Sequence, residues 1–255
     1  MAEADKQRGR IFLHRGDLAQ ARLCYEQALK DDRHDDSPGA LSDTLGNLGN
    51  VCAMLGDYQE AEQCYREILD IQRRQQDKTA IGQTLVNLGN LQAEAGHPDR
   101  AKAYYLEALD ILEPLQDRRA LGILYSTLAL HDAAAGSTDL AIVNFTKALE
   151  LHRAVGDEEG LAVTYSQLGK TFLEAGKRGQ AEKCLNNASE HFIKLGNEPA
   201  EAAVLRLLAD LYIQSANKES AIRCLERVVL LDARYGLSQH TDDMANLKRL
   251  AEGNL

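Results

Sequence analysis

A register of forty residues runs through this chain and constrains its fold more than any other feature. The segment TLGNLGNVCAMLGDYQEAEQCY at residues 44–65 is answered by TLVNLGNLQAEAGHPDRAKAYY at residues 84–105. Ala21, Ala61, Ala101, Ala141, Ala181 and Ala221 fall in one column, and Gly16, Gly56, Gly96, Gly136 and Gly176 in another that fails only at Ala216. A third column runs Leu48, Leu88, Leu128, Leu168 and Leu208, each followed by glycine or alanine. A fourth runs Tyr25, Tyr65, Tyr105 and Phe145 before relaxing to Leu185 and Leu225. A repeat period of about 20–50 residues marks stacked supersecondary units, none of which can bury its apolar face alone.

Within each repeat the apolar residues recur at helical spacing. Leu45, Leu48 and Cys52 form one stripe and Ala61, Tyr65 and Ile68 another, with Gly56-Asp57 marking a turn between them. Small residues at the Gly49 and Ala61 positions allow two helices to approach closely, and a large residue at the Tyr65 position fills the space beside them. Ser37, Asp77, Asp117, Asp157 and Asn197 form a further column of N-cap residues, whose side-chain oxygens accept from the free amides of a first helical turn. Pro38 follows Ser37 at the first helical position, where a missing N–H costs nothing. The expected fold is all-α: antiparallel helix pairs in about six repeats, approximately 1–36, 37–76, 77–116, 117–156, 157–196 and 197–236, forming one solenoid over 1–255. Thr241 is expected to cap a closing helix within 241–252 that carries Met244, Leu247 and Leu250 on one stripe.

The pattern L-x-x-L-G-x-x-C, then G-D-Y, then A-x-x-x-Y resembles the tetratricopeptide repeat. The longer period, the NLGN phrases at 47–50 and 87–90 and the linkers Gln76-Asp77 and Gln116-Asp117 resemble the forty-residue variant of the Pins/LGN family and, more loosely, kinesin light chain. The resemblance covers about residues 9–235 and implies a right-handed superhelix with a concave, partner-binding wall.

Composition narrows the function classes. A net charge of -10 opposes non-specific nucleic-acid binding, which draws its affinity from Lys and Arg neutralising phosphates. No stretch approaches the length of apolar sequence needed to span a membrane, and MAEADKQRGR has no apolar core behind its charges, so a cytoplasmic location without a secretory signal is expected. Five cysteines without a C-x-x-C motif read as small packing residues in a reducing compartment. No H-E-x-x-H helix, glycine-rich phosphate loop or serine nucleophile elbow is present, and His131-Asp132 are adjacent helical residues that point about 100° apart. No catalytic residue, metal site or cofactor is implied.

Function then falls to the surface of the array. By analogy with the family, the first helix of each repeat lines the groove. This places Asn47, Asn50 and Met54 inward in the second repeat, and Asn87, Asn90 and Glu94 in the third. Ile123, Thr127 and Leu130 follow in the fourth repeat, Lys170 in the fifth, and Arg206 and Asp210 in the sixth. An asparagine amide offers donor and acceptor together, so the ladder Asn47, Asn50, Asn87 and Asn90 suits the backbone of an extended peptide, and Ile123 and Leu130 suit apolar anchors. A structural role for each stands open beside this: the asparagines as partners of neighbouring helices, the apolar residues as packing. Gly46, Ile123 and Thr127 occupy places where a clamp for an anionic C-terminus needs cations. In the first repeat Asp5 and Arg8 replace the Leu45 and Leu48 positions, as suits a water-facing cap or a chain that has lost upstream repeats. The expected function is a non-catalytic adaptor or scaffold that holds a peptide segment of a protein partner in its groove. The alternatives are a homo-oligomer assembled through the terminal helices and a regulator that senses a peptide.

Overall fold

The computed structural model describes residues 2–35, 37–235 and 240–251. The side chain of Thr241, the expected cap of the last helix, lies outside the described residues. The described chain contains thirteen α-helices and one short 3-10 segment, with no strand among the described residues. In chain order the helices are α1 (Ala2–His14), α2 (Leu18–His34), α3 (Pro38–Leu55), α4 (Tyr58–Gln75), α5 (Lys78–Glu94), α6 (Pro98–Leu112) and α7 (Arg118–Ala134). They continue as α8 (Thr138–Val155), α9 (Glu158–Glu174), α10 (Arg178–Leu195), α11 (Glu198–Gln214), α12 (Lys218–Tyr235) and α13 (His240–Ala251), and the 3-10 segment Glu113–Leu115 follows α6. This is an all-α solenoid of helix pairs. The single array expected from the register contains two compact units, Met1–Leu124 and Tyr125–Leu255.

The first unit pairs α1 with α2, α3 with α4 and α5 with α6. The column residues make each crossing. Tyr25, Tyr65 and Tyr105 are buried, and opposite each stands a glycine of the partner helix. A Cβ on Gly89 would lie 2.3 Å from Cε1 of Tyr105, so only a glycine admits the ring at this approach. Ala21, Ala61 and Ala101 are fully buried at the same crossings.

Hydrogen bonds also join consecutive pairs. Thr44 Oγ1 on α3 donates to Asp32 Oδ2 on α2 at 2.5 Å, and Thr84 on α5 donates to Gln72 on α4 at 2.9 Å. Asp32 is also approached by Lys6 Nζ of α1 at 3.5 Å. The polar first helix keeps Glu3, Gln7, Arg8 and Arg10 exposed, while Asp5 and Lys6 are buried. Lys6 neutralises Asp32, Arg8 covers Asp5, and a buried charge is tolerated only when paired in this way.

The second unit has two contiguous apolar clusters. One joins Ala129, Phe145, Leu149, Leu161 and Phe172 across α7, α8 and α9. The other joins Phe192, Val204, Leu208 and Leu225 with Leu250 of α13, and Leu247 packs at its edge. Met244, placed on the same stripe by sequence, is instead half-exposed.

Helix ends follow the cap column with one exception. Asp77, Asp117, Asp157 and Asn197 each accept from the backbone N–H three residues on, at 3.0 to 3.2 Å. Ser37 makes no such bond, and Pro38 opens α3 in its place. Asp17 and Asn217 cap α2 and α12 in the same manner. The turn after α3 closes through Gly56 at φ 83°, and the corresponding turn after α11 keeps this left-handed geometry at Ala216, φ 56°.

The cysteines are packing residues. Cys52, Cys64, Cys184 and Cys224 are buried and Cys24 is half-buried. Burial pushes the Cys52 thiol up to about 12 and those of Cys64 and Cys184 up to about 11, so these thiols stay protonated and unreactive.

Candidate functional site

Because α1, α3 and α5 are each followed by their antiparallel partner, they run in the same direction, and their C-terminal turns border one hollow in the first unit. Its volume is about 390 Å3, and it is lined by Leu13 of α1, by Asn50, Ala53 and Met54 of α3, and by Asn87, Asn90, Leu91 and Glu94 of α5, with Tyr65 of α4 behind them. Three of the four asparagines singled out by sequence converge here. Asn47 is half-buried on α3 and does not line the hollow.

Two of these asparagines are held from behind. Tyr65 Oη donates to Asn50 Oδ1 at 2.5 Å, and Tyr105 Oη donates to Asn90 Oδ1 at 2.8 Å. The phenols reach the asparagines because Gly49 and Gly89 let each ring pass beneath the first helix. Burial, and then the nearby Cys64 and Glu94, push Tyr65 up to about 12; burial and Glu94 do the same for Tyr105. Both hydroxyls therefore keep their protons throughout the neutral range. With Oδ1 engaged, Asn50 and Asn90 have their amide N–H donors left for the hollow. The structural reading of these two residues is thus met at Oδ1.

The remaining expected residues lie elsewhere. Ile123 and Leu130 of α7 are 49% and 44% exposed, large values for apolar side chains, and Thr127 is half-buried between them in sequence. Lys170 is exposed on α9. Arg206 departs from its expected role as an inward cation: Nη2 binds Asp232 at 2.5 Å and Nε binds Asp243 at 2.8 Å, with the side chain only 19% exposed. It ties α11 to α12 and α13 and has little left to offer a ligand. Asp210 is exposed on α11, and its carboxyl is raised by partial burial and by the charge of Asp243.

Sequence reasoning missed Leu13, Leu91 and the two tyrosines. The signal for the tyrosines was present, since an asparagine stands fifteen residues before Tyr65 and before Tyr105, whereas Leu130 stands fifteen before Phe145, which has no hydroxyl to satisfy. His131 Nδ1 and Asp132 Oδ1 are 3.9 Å apart, too far for a hydrogen bond, and Asp132 instead accepts from Asn144 at 2.8 Å. Among the described residues no group of three His, Cys, Asp or Glu side chains is placed to hold a metal ion, and no helix is long and apolar enough to cross a membrane.

The tetratricopeptide repeat family profile matches residues 40–113 and 120–190, and a second profile of the same description matches 166–237. The chain belongs to the tetratricopeptide repeat family. No curated protein matches it by sequence. Among solved structures, this tetratricopeptide array is similar to BtubC (BKLC) from P. vanneervenii, at 20% identity and a TM-score of 0.78, over 86% of this chain and 92% of that one. It is also similar to a signal transduction ATPase from Pyrococcus horikoshii with a tetratricopeptide repeat sensor, at 15% identity and a TM-score of 0.72, over 99% of this chain and 42% of that one. A Rap protein complexed with Competence and Sporulation Factor matches at 12% identity and a TM-score of 0.67, over 97% of this chain and 74% of that one. At these identities the likeness is one of fold. These matches do not show the finer resemblance to the Pins/LGN family or to kinesin light chain.

Proposed function

We propose that the chain is a non-catalytic adaptor that holds a peptide segment of a protein partner against the asparagine-lined hollow of its first unit. The carrying observation is the pair of tethered amides, Asn50 and Asn90, whose acceptor atoms are bound by buried tyrosines while their donors are left for a ligand. Main-chain carbonyls of an extended segment are the acceptors that such donors fit whatever the side chains, and Asn87 adds a third amide beside them. Leu13, Met54 and Leu91 supply apolar surface for one side chain of the segment. Membership of a family built on protein contacts supports this reading, as does the similar fold of a Rap protein solved with a bound factor.

The experiment exploits the repeat that lacks the device. Replacing Asn50 and Tyr65 by the Leu130 and Phe145 pair of the fourth repeat, and Asn90 and Tyr105 likewise, removes the donors without stranding a hydroxyl. Partner recovery from the native lysate by this Asn50→Leu/Tyr65→Phe/Asn90→Leu/Tyr105→Phe variant is expected to fall at least tenfold against wild type while circular dichroism is retained. Equal recovery by a folded variant would remove the hollow from the binding mechanism.

A further inference from the structure

Resting on that reading, we propose that the segment held in the hollow carries a lysine or arginine side chain next to an apolar one, the cation lying against Glu94. Glu94 is the one charged residue lining the hollow, and it is exposed, with no ion-pair partner among the described residues. Arg10, which stands where the second and third repeats have Asn50 and Asn90, does not line the hollow and has Glu3 at 3.9 Å.

A second feature gives the same sign. The hollow is bounded by the last turns of three helices running in one direction: Leu13 in α1, Ala53 and Met54 in α3, Leu91 and Glu94 in α5. A helix C-terminus carries partial negative charge from its aligned peptide dipoles, and three of them around one space add to the carboxylate. Asn50 and Asn90 contribute N–H donors, which suit the carbonyl oxygens of the segment, while an acidic side chain would meet Glu94 and three helix ends of its own sign. The apolar floor of Leu13, Met54 and Leu91 fits the aliphatic stem of lysine or arginine and the neighbouring apolar side chain.

The test uses the full chain and a library of short random peptides selected on the immobilised protein, with affinities of the synthesised consensus read by fluorescence anisotropy. Selected peptides are expected to share a basic position beside an apolar one. Glu94→Gln should weaken them about three- to tenfold, Glu94→Asp less, and replacing the basic residue of the peptide by norleucine should abolish the difference between wild type and Glu94→Gln. Added salt should narrow the same gap. A consensus without a basic position, or equal affinity for Glu94→Gln, overturns the inference; if those peptides still fail on the four-residue variant above, the hollow itself stands. Peptides that bind that variant as well as wild type, or a selection that recovers none, overturn both.

Discussion

At the scale of single residues the structure turns on which polar atoms are already satisfied. The Tyr65 hydroxyl is buried and has Asn50 as its acceptor, so Asn50→Ala would strand it, at a cost of about 1–3 kcal/mol. Asn50→Leu combined with Tyr65→Phe removes both polar groups and is expected to restore most of that loss; the two urea denaturation midpoints check it, and equal midpoints would refute the hydrogen bond. Tyr25 shows the incomplete form of the same arrangement, since Arg10 occupies the matching position and the buried Tyr25 hydroxyl has no hydrogen-bond partner among the described residues. The asparagines were legible as inward-facing residues from the repeat register, but their tethers were not, because a bond between residues fifteen apart has no signature in helical periodicity. Arg206 was misread for a related reason. Its partners Asp232 and Asp243 arrive from the next two helices, and only folding brings their charges to it.

At the scale of elements, the turns carry the most specific demand on sequence. Five of the six turns joining the helices of a pair, those at Gly16, Gly56, Gly96, Gly136 and Gly176, use glycine at positive φ; the sixth uses Ala216 at φ 56°. A left-handed alanine is strained by about 1–2 kcal/mol, of which part is offset by the greater freedom that glycine loses on folding. Ala216→Gly is therefore expected to stabilise the α11–α12 pair by about 1 kcal/mol, raising the thermal midpoint by about 2 °C in calorimetry. An unchanged or lower midpoint would mean that the turn relaxes around alanine without strain. The glycine column was visible in sequence because the backbone conformation admits few other residues. Gln76 and Gln116, at φ 58° and 53° where the next two repeats use Gly156 and Gly196, were legible as linkers but not as left-handed turns, because glutamine carries no such preference.

At the scale of the whole molecule, stability in a repeat array is a sum of repeat terms and nearest-neighbour interfaces. Ala101 is fully buried where α6 meets α5, and Ala101→Leu should overpack that crossing at a cost of about 1–3 kcal/mol. Amide hydrogen exchange is expected to show protection lost across α5 and α6 and retained across α11 and α12; uniform loss through the chain would contradict the additive picture. The fold class was legible from sequence because four packing columns repeat in phase, and packing columns are what a solenoid is made of. The division into two compact units was not, since the register continues across it without a break. The recurring turn has an evolutionary and practical corollary. Gly56 N–H bonds to Ala53 O and Asp57 N–H to Cys52 O, and Gly96 and His97 bond to Ala93 and Gln92 in the same pattern. The stretch 57–96 thus begins and ends at equivalent backbone junctions, so a duplicated copy spliced in after Gly96 meets both neighbours with chain geometry they already accept: the molecule can be lengthened by gene duplication without inventing a new joint.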